Sequence, residues 1–483
     1  MRTRWLLVGA ILVAFVDRLA VLASPIGNLN GDEGVTGLMA DRIVRGHTYT
    51  FFPGQQYLGA VEPYLQAPFA WIAPHNAYVV RLPLVVISAF SVLLVFSVGR
   101  RVLGSERRAL VAAWLYALGP AYALLYGGRG MGAYAVAPLL GLLALHFAVR
   151  HAQPGSFDVS AIGFVAGLGA WATVTTYYLI LPAVLWTVGS LWTVARRRLL
   201  LLVSAALLGS APFWIWMLRH RAIGGIGSLP HVAGPATRLG RLVADVLPEY
   251  LGVAWFGPRS VLPRVVWYVA VAGVLGLLTV AVVARRRSLV RLLLSRGTRR
   301  PFDVVLLASV IALAMYVASP YTWYAVEPRY LYPALPLLAW SAARIRVPIA
   351  AVALLSVATI AVYVDDYPAH WTRDLRAASG WLQKNGYTAA YADFRTAYTS
   401  DFVAGTAIAV VPYGPNPCRF PDLTRRVDAS EHFAYLASTE NVTEVLRAVP
   451  GAKSMRFGSV TVLTPPQPVR PWQVGLTSRQ GTC

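Results

Sequence analysis

The feature that most constrains this chain is a succession of long apolar stretches punctuated by short runs of arginine. A membrane-spanning helix needs about 20 mostly apolar residues. Eleven candidate stretches appear, at roughly 5–23, 77–99, 109–126, 131–149, 160–177, 178–195, 199–218, 265–284, 303–319, 330–343 and 347–364. The chain is 57% hydrophobic and 13% charged, with a mean hydropathy of +0.55. Soluble domains carry about 25% charged residues. A polytopic α-helical membrane protein with about eleven transmembrane helices is therefore expected.

The arginines supply an orientation. With Arg2 and Arg4 inside, alternate loops carry Arg100, Arg101, Arg107 and Arg108, then Arg150, then Arg196–Arg198. Arg285–Arg287 with Arg291, Arg296, Arg299 and Arg300 follow, and then Arg344 and Arg346. All these clusters fall on one side, as cytoplasmic loops do. Three regions are then outside: the first loop at 24–76, a second loop at 219–264, and everything after about 365. The same distribution accounts for the net charge of +22. The basic residues mark loops and form no continuous face for nucleic acid. The second outer loop departs from the pattern, because it is basic (Arg219, Arg221, His231, Arg238) and outside. Such a loop suits anionic groups, or it is neutral in function.

The chain divides into a transmembrane module, 1–364, and a tail, 365–483. In the tail, Trp371–Lys384 reads as an amphipathic helix that Gly386 ends. Short apolar runs follow at Thr388–Tyr391, Thr406–Val411, Phe433–Ala437, Met455 and Val460–Leu463, with helical stretches Ala397–Ala404 and Asn441–Ala448 between them. Alternating strands and helices predict a small C-terminal α/β extracytoplasmic domain. No nucleotide-binding loop is present. Cys418 and Cys483 match no metal or redox spacing, and their spacing leaves open whether they pair.

The candidate site is in the first outer loop. Asn30 or Asp32 can cap a helix, Val35, Leu38, Met39 and Ile43 share one face, and Gly46 ends it. An amphipathic helix lying on the membrane surface is expected. Pro53-Gly54 makes a turn, and a second apolar stretch, Tyr57 to Ile72, contains Glu62. Asp32 and Glu33 suit a helix N-terminus, where the dipole stabilises a carboxylate by about 0.3–1 kcal/mol, and Glu62 suits a surface position. A catalytic reading competes with this. Asp32, Glu33 and Glu62 gather in one loop of an acid-poor chain, flanked by polar and aromatic groups including Tyr57 that match sugar hydroxyls. Ionisable groups at membrane depth tend to mark function.

The pattern resembles the GT-C superfamily of lipid-carrier-dependent glycosyltransferases, in the branch of protein O-mannosyltransferases and lipid A aminoarabinose transferases. The resemblance rests on Asp32-Glu33-Gly34 after the first span, the stretch from Gly54 to Pro63, Arg129 between two spans, and Glu327-Pro328-Arg329-Tyr330 before a late span. It covers about the first 350 residues. Where that branch often shows Glu-Lys-Pro, this chain has Glu62-Pro63, so a basic residue for phosphate is missing there. The resemblance implies a polyprenyl-phosphate sugar as donor, the lipid carrier as partner, and a glycan, glycolipid or protein as acceptor. It implies an inverting transfer, which the arginine topology puts at the outer face, and the excess of Arg over Lys and richness in Ala, Val and Leu suit a bacterial cytoplasmic membrane. Asp32 is then the leading general base, with Glu33 beside it. Arg329 and Arg129 are the phosphate-binding candidates, with His231 and Arg221 next. The alternative for each arginine is an interface anchor whose head reaches the lipid headgroups, and a lone loop histidine such as His231 is usually only solvated. Glu62 and Tyr57 line the substrate side, and a divalent cation beside Glu62 is a further option, though no ligand cluster marks one. A transporter or flippase of lipid-linked sugars is the alternative function. Such proteins show repeated halves and midplane charges, and neither is seen here. A scaffold whose tail binds a partner is a third.

Overall fold

The fold is described from a computed structural model, which covers residues 2–191, 196–221, 234–255, 261–294, 300–319, 327–405, 407–413 and 418–476. Helix α1 (Arg2–Ala23) opens the chain. The first loop then folds into α2 (Gly31–Val44), a hairpin of β1 (Phe51–Phe52) and β2 (Gln55–Gly59), and α3 (Val61–Ile72). Next come α4 (Ala77–Val102), α5 (Glu106–Leu118), α6 (Ala121–Tyr126), α7 (Val136–Val149), α8 (Ser156–Ala172) and α9 (Tyr177–Leu191). Helices α10 (Arg198–Gly209) and α11 (Ala211–His220) meet at a 59° bend. The second loop holds α12 (Pro235–Arg241), a π-helical turn (Leu242–Val246) and α13 (Leu247–Tyr250). Helices α14 (Arg264–Leu293), α15 (Asp303–Ala318), α16 (Leu335–Ile345) and α17 (Ile349–Tyr363) complete the apolar part. A 3₁₀ turn, Pro328–Ala334, leads into α16.

Among the described residues each apolar stretch contains a helix, but not every one is a single span. Among the described residues, five helical segments are long and apolar enough to cross a membrane, or six if the bent pair counts as one. The stretch at 109–126 shows why. Gly119 and Pro120 break it between α5 and α6. The carbonyls freed at the end of α5 are taken up by a buried arginine. Arg18 donates to Ala117 O (3.0 Å) and Tyr116 O (3.4 Å), as well as to Ser88 Oγ (2.6 Å). A broken helix is tolerated at membrane depth when its backbone finds partners in this way.

The tail forms α18 (Trp371–Lys384), β3 (Ala389–Ala392), α19 (Phe394–Ala404), β4 (Ala409–Pro412), α20 (Pro421–Ala429), β5 (Phe433–Ser438), α21 (Val442–Ala448), β6 (Lys453–Phe457) and β7 (Val460–Thr464). The sheet order is β4-β3-β5-β7-β6, with β3 parallel to both neighbours and β7 antiparallel to both of its own. Four of the five strands were legible as apolar runs, whereas β6, marked only by Met455, α20 and the β1–β2 hairpin were not. Cys418 is disulfide-bonded, and Cys483 lies outside the described residues.

Helix α2 departs from expectation. It does not lie half-exposed on a surface, because Glu33 through Asp41 are all buried. One side meets α3 and the other meets α19 of the tail. Leu29, Val35, Leu38, Met39 and Phe52 of the first loop share one apolar cluster with the tail's sheet. The close approach depends on glycine. A Cβ on Gly31 would fall 2.5 Å from the Phe394 ring, one on Gly34 2.5 Å from the Tyr398 backbone, and one on Gly37 2.5 Å from the Phe402 ring. Glycines at every third position of α2 thus receive aromatics at every fourth position of α19.

Candidate active site

The site is built on the N-terminus of α2. The Asn30 side chain accepts from Glu33 N (2.9 Å), and the Glu33 carboxylate accepts from Asn30 N (3.4 Å). This reciprocal cap satisfies two orphan backbone donors and fixes where the helix starts. It also sends the two adjacent carboxylates in different directions.

Glu33 turns inward. It receives a two-pronged contact from Arg81 of α4, Nε to Oε1 at 2.7 Å and Nη2 to Oε2 at 2.8 Å. Arg129 approaches the same carboxylate, Nε to Oε2 at 3.4 Å. Arg129 also donates through Nη2 to Ile26 O and Asn28 O, both at 2.9 Å. Arg129 therefore stitches the α1–α2 turn to the segment between α6 and α7. Two buried arginines share one buried carboxylate, which leaves a surplus of positive charge under the first turn of α2.

Glu62 is also buried and not a surface residue. Its side chain is 0% exposed and accepts from Gly132 N (2.9 Å) and Ala135 N (3.2 Å). These bonds hold a loop in which Gly132 (φ 98) and Ala133 (φ 69) take left-handed conformations. Burial pushes the Glu62 carboxyl up to about 7, against the pull of the backbone N–H groups that surround it. With its oxygens engaged, Glu62 is withdrawn from the substrate-facing place expected of it. Among the described residues no three His, Cys, Asp or Glu side chains converge to hold a metal.

Asp32 turns outward. Its side chain is 33% exposed, against 3% for Glu33. Its nearest cation is Arg329, Nη1 to Oδ2 at 3.5 Å, a length beyond a good hydrogen bond. Arg329 is held from behind by Glu327, Nε to Oε2 at 3.0 Å, and lies over the Tyr330 ring at 5.1 Å. Tyr134 packs edge-on against Tyr330 with centroids 6.0 Å apart. Tyr57, on β2, is within electrostatic reach of both Asp32 and Tyr330, and burial pushes its phenol up to about 12. The result is a one-third-exposed carboxylate facing a buried guanidinium, with three phenols in the neighbourhood. A carboxylate so placed can take a proton from a hydroxyl, and a guanidinium can hold an anion through paired N–H donors.

Of the residues singled out from sequence, Asp32 lies near Arg329 and Tyr57, Glu33 and Arg129 pair with each other, and Glu62 is tied to the loop at 132–135. Arg221 is exposed at the left-handed end of α11 (φ 48), and His231 lies outside the described residues. Sequence reasoning passed over Arg81, Glu327 and Tyr134. Glu327 stood beside Arg329 in a segment already noted. Arg81, an arginine four residues into an apolar helix, was a signal that went unread.

The carboxylate, the arginine and the phenols by themselves define no reaction. The kind of protein follows from likeness. Residues 59–216 match the family of dolichyl-phosphate-mannose-protein mannosyltransferases. No curated protein matches in sequence. The fold is similar to that of ArnT from Cupriavidus metallidurans bound to undecaprenyl phosphate, with TM-score 0.52 and 13% identity, covering 96% of this chain and 98% of that one. The same protein in the apo state gives TM-score 0.51 and 13% identity over 99% and 98% of the two chains. The apo oligosaccharyltransferase of Archaeoglobus fulgidus gives TM-score 0.45 and 13% identity over 91% and 70%. The chain has the GT-C glycosyltransferase fold and resembles the ArnT and protein mannosyltransferase branch.

Proposed function

We propose that the protein transfers a sugar from a polyprenyl-phosphate-linked donor to an acceptor hydroxyl at the outer face of a bacterial cytoplasmic membrane. The product belongs to a cell-envelope glycan or glycolipid. Asp32 takes the proton of the acceptor hydroxyl, whose oxygen attacks the anomeric carbon. The bond from that carbon to the phosphate oxygen breaks, and polyprenyl phosphate departs toward Arg329. A single displacement of this kind inverts the anomeric configuration. Tyr57, Tyr134 and Tyr330 offer hydroxyls and ring faces to the sugar. The buried pair of Arg81 and Arg129, only half neutralised by Glu33, favours the negative charge that grows on the phosphate.

The observation that carries this reading is the split between the first-loop carboxylates. Glu33 and Glu62 are consumed by buried partners, and Asp32 alone faces outward toward Arg329. A matched pair of variants tests it. Asp32→Asn keeps the protein folded in detergent and lowers sugar transfer by at least the ~10²–10⁴-fold expected of a general base. Glu33→Gln strips two buried arginines of their shared anion and costs about 3–5 kcal/mol of stability. Wild-type turnover in Asp32→Asn, measured as release of polyprenyl phosphate, would rule out the base assignment.

A further inference from the structure

Glu249 is a carboxylate for which the site described so far has no use. It sits on α13, in the run Leu247-Pro248-Glu249-Tyr250, directly after the π-helical turn. It is buried (9% exposed), and its Oε2 has no hydrogen-bond partner among the described residues. Native structures rarely leave a buried polar atom unpaired, and an orphan of this kind asks for a ligand or a role. π-helical turns also recur at functional sites.

Its surroundings point toward the donor. Helix α13 packs against the 3₁₀ turn that carries Arg329. The Tyr126 phenol lies within electrostatic reach of Glu249, Glu327, Arg329 and Arg129. The titratable groups on the elements packed around Glu249 are Asp245 in the π-turn, Tyr250 beside it, Glu327, Arg329, Tyr330 and Tyr332 by the 3₁₀ turn, and Arg264 and Tyr268 at the start of α14, whose Arg285–Arg287 and Arg291 lie toward its other end. Burial first, then the negative charges of Glu327 and Asp245, push the Glu249 carboxyl up to about 9. At neutral pH it holds its proton, and a neutral carboxylic acid is a hydrogen-bond donor.

We propose that Glu249 is a phosphate-binding residue: its carboxylic acid donates a hydrogen bond to the phosphate of the lipid carrier, alongside Arg329. The assignment rests on the donor class proposed above. It adds a neutral donor to a site whose other donors are cations. Such a donor binds both the diester of the loaded carrier and the monoester left behind, and its proton stays put because an approaching phosphate dianion makes ionisation harder still. Once Glu249 ionises, the same position repels the phosphate.

The test is equilibrium binding of undecaprenyl phosphate to the full-length protein in detergent, from about pH 7 to above the Glu249 value of about 9. Wild type is expected to lose affinity roughly tenfold or more across that range. Glu249→Gln, an uncharged donor of similar shape, keeps neutral-pH affinity and loses the alkaline decline. Glu249→Ala binds about tenfold more weakly at neutral pH. An alkaline decline that persists unchanged in Glu249→Gln, or an unaltered affinity in Glu249→Ala, overturns the proposal. The binding readout is separate from turnover. If undecaprenyl phosphate binds with this pH signature but no polyprenyl-phosphate sugar is consumed, the transfer reading fails while the phosphate contact stands.

Discussion

Successive side chains on a helix point about 100° apart, and that rotation decides the fates of Asp32 and Glu33. One is sealed against Arg81 and the other faces the phenols. The cap by Asn30 was legible in the local sequence, because its partners are three residues apart. The Arg81 partner was not, since it lies 48 residues away in a helix that reads as purely apolar. Glu62 shows the same limit, for nothing in its neighbourhood announces the backbone donors at 132 and 135. Its burial has a measurable consequence. The folded carboxyl titrates near 7 and the unfolded one near 4.5. The folded state therefore binds the proton more tightly. The destabilisation is absent below about 4.5, grows as pH rises toward about 7, and is complete above it. A shift of that size corresponds to about 3 kcal/mol. The melting temperature of the wild type is expected to fall across this window, and that of Glu62→Gln to stay flatter. Parallel slopes for the two would show that the carboxyl does not titrate there.

Elements are held in place here by close contact more than by charge. Glycine at three positions of α2 costs helix stability, about 1 kcal/mol each relative to alanine, and the return is the approach of α19. Gly34→Ala should thus reverse the usual gain. The new Cβ would meet backbone 2.5 Å away, a clash that a side-chain rotation cannot relieve, and overpacking of this kind costs about 1–3 kcal/mol. Asp32, two residues along the same helix, would shift with it, so sugar transfer should fall with stability. Gly273→Ala on α14 is the control, because nothing lies within 4 Å of its Cβ; that change should be neutral or stabilising. Equal melting temperatures for both variants would refute the argument. The helical periods of α2 and α19 could be read from sequence. Their meeting could not, since glycine carries no apolar signal and the partners are more than 350 residues apart.

At the scale of the whole molecule, the apolar helices and four of the five strands of the tail were readable, because hydropathy and period are local properties. What was not readable is that the first loop belongs to the tail's core as much as to the helices around it. Further ties reinforce the same junction. Arg42 reaches Asp422 with contacts of 3.1 and 2.7 Å, and Arg419 donates to Pro53 O at 3.0 Å. A chain cut after residue 364 should leave α2 without its second face. Amide hydrogen exchange over 31–44 is expected to speed up by at least about tenfold relative to the full chain, a loss of roughly 1.4 kcal/mol of local stability. Unchanged protection would mean that α2 needs no tail.

The glycine stripe also sets rules for recombination. Helix α2 is a mould cut to the rings of one particular α19, so the two are inherited as a matched set. A chimaera that takes its tail from a related enzyme must take residues 28–46 from the same parent. If it does not, the graft arrives with rings that have no grooves, and the carboxylate at the head of the helix loses its bearing.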